Sequence, residues 1–152
     1  MLLDTPDKPM TQVDFYIATD TRPEARERLC CRLAEKAWRA GRRVYIHTTS
    51  NAQAMRVDEL LWIWRDGSFI PHALYPAGDG DPSPVLIGHR PAPPAENQVL
   101  INLADAPPPF AGRFARLLEP VAGGDEERAR ARQRFRWYRE QGYTLDTHEL
   151  ER

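Results

Sequence analysis

Twice in its first sixty-odd residues the chain places a short apolar run before a long amphipathic one, and this alternation constrains the fold more than any other feature. VDFYIA, from Val13, ends at TDTRPE. EARERLCCRLAEKAWRAG comes next, with Leu29, Leu33 and Ala37 on one stripe, and closes on Gly41. RRVYIHTTS repeats the short run, Ser50 or Asn51 is placed to cap a second helix, and NAQAMRVDELLWIW sets Ala54, Val57 and Leu61 at helical spacing. Beyond Asp66 and Gly67, the pieces SFIPHALY, PVLIGH and QVLINLA read as further strands between Pro- and Gly-rich turns. PPPFAGRFARLLEPV reads as a short helix, or as a helix and a strand edge, and Gly123 and Gly124 break the chain after it. Parallel strands need crossovers that cover them, so the pattern predicts an α/β protein: an open, mostly parallel sheet with helices on both faces.

Length and charge limit what such a sheet does. The 152 residues suit one domain, expected over 10–148, with residues 1–9 (MLLDTPDKP) a flexible leader, Met10 an alternative start and 149–152 a short tail. A net charge of -1 excludes a bulk polycation, so any basic surface is local. No run is long enough for a membrane span and the first residues lack a secretory pattern, which points to the cytosol. Cys30 and Cys31 are adjacent in a helical pattern; they read as packing thiols, without the spacing of a zinc site, and no metal is expected. IATDTRPE contains no glycine after the first strand and no phosphate-binding loop motif occurs, so no nucleotide cofactor is expected either. His47, His72, His89 and His148 are scattered, and Asp58 and Glu59, as helix neighbours, point about 100° apart and read as a solvated face. No nucleophile, base and orienting group come together, and the pattern favours a binder over an enzyme.

The binding signal lies in DEERARARQRFRWYREQGY. Six arginines and three aromatic rings fall between Arg128 and Arg139. Asp125, Glu126 and Glu127 suit the positive end of a helix dipole and Gly142 a helix stop. On a helical wheel Arg128, Arg132, Phe135 and Arg139 fall within about 60°, with Arg136 beside them and Arg130, Arg134 and Trp137 on the far side. One reading sends Ala131, Phe135 and Tyr138 to the core and leaves the arginines as solvated flanks. The other makes the face a site for a ligand both anionic and apolar, since guanidinium groups grip carboxylate or phosphate beside a hydrophobic ring. Single-stranded nucleic acid and an acidic peptide with an apolar end both meet that description.

VDFYIATD, LAEKAWRAGRRVYIHTTS, DELLWIWRDGSFIPH, VLINLAD and ARQRFRWYREQGYTL succeed one another as in the chi subunit of bacterial DNA polymerase III, and the chain resembles that family over residues 10–145. The resemblance implies a Rossmann-like fold without nucleotide and a non-catalytic accessory subunit of the clamp loader. It also implies two partners, the psi subunit and the acidic, Phe-ended C-terminal tail of single-stranded-DNA-binding protein. Carried over by position, the tail site is Arg128, Arg132 and Arg136 with Phe135 as the ring and Val121 as an apolar wall, and Arg139 on the same face. Family members often carry lysine at two of these basic positions and tyrosine at the ring, so charge and stacking are kept here and the phenol hydroxyl is not. The psi surface is expected at Trp62 and Phe69 with Pro71 nearby, and a helicase is a candidate competitor at Phe69. Without the resemblance, Trp62 and Trp64 both read as ordinary core or rim packing.

Overall fold

The computed structural model describes residues 11–64, 69–75, 83–89 and 98–150. The expected leader and Met10, the turn at Asp66 and Gly67, most of the Pro- and Gly-rich connections, and residues 151–152 of the expected tail lie outside the described residues.

Strand β1 (Gln12–Ile17) leads into helix α1 (Ala25–Arg39), and β2 (Val44–His47) into α2 (Asn51–Trp62). Then come β3 (His72–Leu74), β4 (Val85–Gly88), β5 (Val99–Asn102), a short 3-10 turn at Ala111–Arg113, β6 (Arg116–Val121), α3 (Asp125–Glu140) and β7 (Thr144–Glu149). The strands form one sheet in the order β3-β4-β2-β5-β6-β1-β7, parallel at every pairing. The Rossmann-like α/β expectation holds. Helix ends obey local chemistry: the Ser50 hydroxyl accepts from the Gln53 amide at 3.2 Å to cap α2, and Gly41 and Gly142 take positive φ just past α1 and α3.

Alternation along the strands splits the core in two. Val44, Ile46, Val85, Ile87, Val99 and Ile101 face α1 and α2, with Leu29, Leu33, Val57 and Leu61 packed on them. Tyr45, Leu86, Leu100 and Leu117 face the other way, towards Phe110, Phe114 and the Ala131 and Tyr138 positions of α3. Cys30 and Cys31 are buried among the first set, where burial pushes the Cys31 thiol up to about 12 and the Cys30 thiol well above its ordinary value. Both are packing thiols of this core.

Three expectations need correction. SFIPHALY yields a strand only at His72–Leu74, because Phe69 and Pro71 stay outside the pairing. PPPFAGRFARLLEPV is a 3-10 turn followed by β6, which is no edge: it lies between β5 and β1 and all its residues after Arg116 are buried. TLDTHE forms β7, unforeseen from a segment so polar, and the sheet thereby reaches Glu149, one residue past 148. Its side chains are mostly exposed because it is a sheet edge, which polar residues protect.

Candidate functional site

Strand register builds the floor of a notch beside α3. Phe15 and Ile17 are alternate residues of β1, so both point to the α3 side. Ile17 lies opposite Val121 on β6, and Phe15 opposite Thr147 on β7. From α3, Arg128, Ala131, Arg132 and Phe135 recur at three- and four-residue intervals and close the other side. The notch is open to solvent and has a volume of about 140 Å³. At roughly 30 Å³ per water, it holds a few solvent molecules or one ring-sized group.

Phe135 is half-buried, between the two readings of the wheel. One edge packs on Phe15, ring centroids 5.2 Å apart, and the rest walls the notch. Val121, Arg128 and Arg132 line it as well, and Arg132 is exposed. Arg128 is steadied by donating through Nη2 to the Ala18 carbonyl at 2.8 Å. Arg136 and Arg139 are exposed and do not line the space; the Arg139 guanidinium stands 6.0 Å from the Phe135 ring, at the outer limit of a cation–π contact. The tertiary fold therefore brings together Val121, Arg128, Arg132 and Phe135, and it adds Phe15, Ile17, Ala131 and Thr147. Only the alternation of VDFYI signalled two of these additions.

Arg134 departs from the picture of arginines as solvated flanks. Its side chain is 2% exposed, and Nε donates to Glu119 Oε1 at 2.9 Å. Glu119, fully buried in β6, also accepts from Tyr138 Oη and from Asn102 Nδ2 (2.8 Å), with Arg26 Nη2 at 3.5 Å. Arg26 from α1 donates to the Pro120, Asn102 and Leu103 carbonyls. Burial, then the Glu119 carboxylate, pushes the Tyr138 phenol well above its ordinary value, so it remains a donor. The network fixes the rotation of α3 on the sheet. With Arg134 and Tyr138 turned inward, the face bearing Arg128, Arg132 and Phe135 lies along the notch.

A second surface lies at the end of α2. Trp62 and Phe69 are 57% and 58% exposed with ring centroids 5.4 Å apart, and Ile63 is more exposed still. Trp62 also rests on the His72 ring at 4.8 Å. That ring is buried, donating through Nδ1 to the Ile70 carbonyl (2.6 Å), with Nε2 3.3 Å from Asp58. Asp58 is thus not merely part of a solvated face. Pro71, half-buried, comes after Ile70 in the same segment. Trp64 departs from its neighbour: it packs against the core and its indole N–H donates to Glu35 at 3.1 Å. Exposed, adjacent aromatic rings of this kind typify protein interfaces.

Among the described residues no helix is long and apolar enough to cross a membrane. Residues 10–146 match the family model described as DNA polymerase III chi subunit, HolC. The DNA polymerase III subunit chi of Pseudomonas aeruginosa is 44% identical over 143 residues, covering 94% of this chain and 99% of the relative. Subunits of the same name from Haemophilus influenzae and Escherichia coli are 35% and 34% identical, covering 88% and 91% of this chain and 93% and 97% of the relatives.

Proposed function

The chain belongs to the DNA polymerase III chi subunit family, and on that premise we propose that it is a non-catalytic cytosolic accessory subunit of the holoenzyme's clamp loader. It links the clamp loader, through psi, to the acidic C-terminal tail of single-stranded-DNA-binding protein. The observation that carries the reading is the notch: an apolar floor of Phe15, Ile17 and Val121, walled by Phe135, with Arg128 and Arg132 at its lining. A terminal Phe ring fits the floor, and its carboxylate and the preceding acids meet guanidinium groups. The exposed Trp62 and Phe69 rings, with Pro71, support psi docking at the end of α2.

The energies suit a tether. Burying one Phe contributes roughly 1.5 to 3 kcal/mol and each charge-assisted hydrogen bond roughly 1.5 to 3, against about 2 to 5 for ordering the tail. With one such bond from each of Arg128 and Arg132 the surplus is at most about 7 kcal/mol, which corresponds to binding no tighter than roughly ten micromolar. Such a contact exchanges quickly and strengthens when several tails are presented together.

Parallel titration of a fluorescent Phe-ended acidic peptide and a fluorescent single-stranded oligonucleotide tests the reading. The peptide should bind, and Arg132→Ala or Phe135→Ala should each weaken it about tenfold while leaving the circular dichroism unchanged. Tight oligonucleotide binding with no peptide binding would replace the proposal with a direct nucleic-acid binder.

A further inference from the structure

Resting on the reading of the notch as the seat of an acidic, Phe-ended peptide, we propose that α1 carries a second cationic subsite for the acidic residues upstream of that peptide's terminus. The notch does not stop at α3. Ile17 lines it on the α3 face, and the next residue, Ala18, accepts from Arg128 through its carbonyl and lines a depression of about 240 Å³ on the α1 face, so a peptide passing over the C-terminal end of β1 reaches from one to the other. Arg22, Arg28, Arg32 and Trp64 surround that second space. Arg32 is shared with a third, of about 280 Å³, where Lys36 and Arg39 face Tyr16 and Leu150. Cationic side chains line all three depressions, and the carboxylates among them, Asp20 in the second and Glu35 in the third, are paired with Arg22 and Arg39.

Spacing and pairing select the occupant. Arg28, Arg32 and Lys36 stand at successive four-residue steps of α1, about 6 Å apart along its axis. Carboxylates on alternate residues of an extended chain recur about every 6.6 to 6.8 Å, close enough for flexible side chains to match. Arg22 is occupied by Asp20 at 2.8 Å, Arg39 by Glu35 at 3.3 Å, and Arg28 more loosely by Glu24 at 3.9 Å. Arg32 and Lys36 are exposed and make no ion pair among the described residues, so these two have charge to offer. An acidic peptide is favoured over single-stranded nucleic acid because the rings are engaged. Tyr16 already stacks on His148 at 4.7 Å, and the Trp64 ring packs against the core. Base stacking uses free ring faces.

The experiment compares two fluorescent peptides on the full chain at low salt: a tetrapeptide ending in Phe with a free carboxylate, and a nonapeptide with an Asp-rich stretch before the same four residues. The nonapeptide should bind about fivefold tighter, the gain expected from two exposed ion pairs. Arg32→Glu/Lys36→Glu should abolish that gain and leave the tetrapeptide affinity unchanged, which also reports an intact notch; the milder Arg32→Ala/Lys36→Ala pair should remove most of it. A gain that survives both double variants overturns the α1 subsite while the notch stands. Absence of binding by either peptide overturns both. A thymidine oligonucleotide that binds the parent and is lost in the double variants, with no peptide gain, assigns the ridge to nucleic acid instead and overturns the proposal.

Discussion

Arg132 and Arg134 are two positions apart in one helix, yet one points into water and the other is sealed against Glu119. Composition treats them alike. The difference arises because successive helix residues turn by about 100°, so a two-residue step carries Arg134 to the sheet side, where a carboxylate waits. His47 shows the same dependence on surroundings. It ends β2 packed edge-on against Phe110 at 5.0 Å, with Nδ1 buried and without a hydrogen-bond partner among the described residues. Burial, and secondarily the charge of His89, lowers its pKa from 6.5 to about 4. A base with a depressed folded-state pKa binds its proton more readily when unfolded, so its protonation favours unfolding as the pH falls from about 6.5 towards 4. The expected loss across that window approaches about 3 kcal/mol. Denaturant unfolding at pH 7 and pH 4.5 should show it in the parent and not in His47→Leu, and equal pH sensitivity in both proteins would assign the effect elsewhere.

At the scale of elements, α3 keeps its cationic face along the notch because β6 holds it. The helix buries little apolar surface of its own, Ala131 and Tyr138, and its attachment depends on the Arg134 and Tyr138 bonds to Glu119. Removing one member of a buried pair strands the remaining charges. Glu119→Ala, which leaves Arg134 and Arg26 uncompensated, is expected to destabilise the chain by about 3 to 5 kcal/mol in denaturant unfolding. A change below about 1 kcal/mol would mean the network does not hold the helix. The bounds of α3 were legible in the sequence, from the acidic first turn and the Gly142 stop, and so was the cationic face. The strand supporting it was not. ARLLEPV contains Glu119 and Pro120 in a fully buried run, a pattern that local rules assign to an edge or a helix. Arg134, Tyr138, Asn102 and Arg26, brought from elsewhere, make a buried carboxylate there tenable.

On the scale of the molecule, strand order keeps the two candidate surfaces apart. Phe69 precedes β3 at one end of the sheet, whereas the notch is built on β6, β1 and β7 at the other. Five strand intervals separate β3 from β1, about 24 Å. Sites at that distance without shared partners act independently. Trp62→Ala with Phe69→Ala should therefore weaken psi capture by at least tenfold and leave the peptide affinity of the notch within about twofold; parallel loss of both would indicate unfolding. The sequence by itself determined the strand-helix alternation, the helix ends and the arginine-aromatic face, because each is written in residues a few positions apart and obeys a local period. Tertiary structure alone decided which arginine is buried, that Thr147 joins Phe15 and Ile17 in the notch, and that a polar segment becomes the seventh strand. Those outcomes depend on contacts between residues as much as 134 positions apart, and no local period records them.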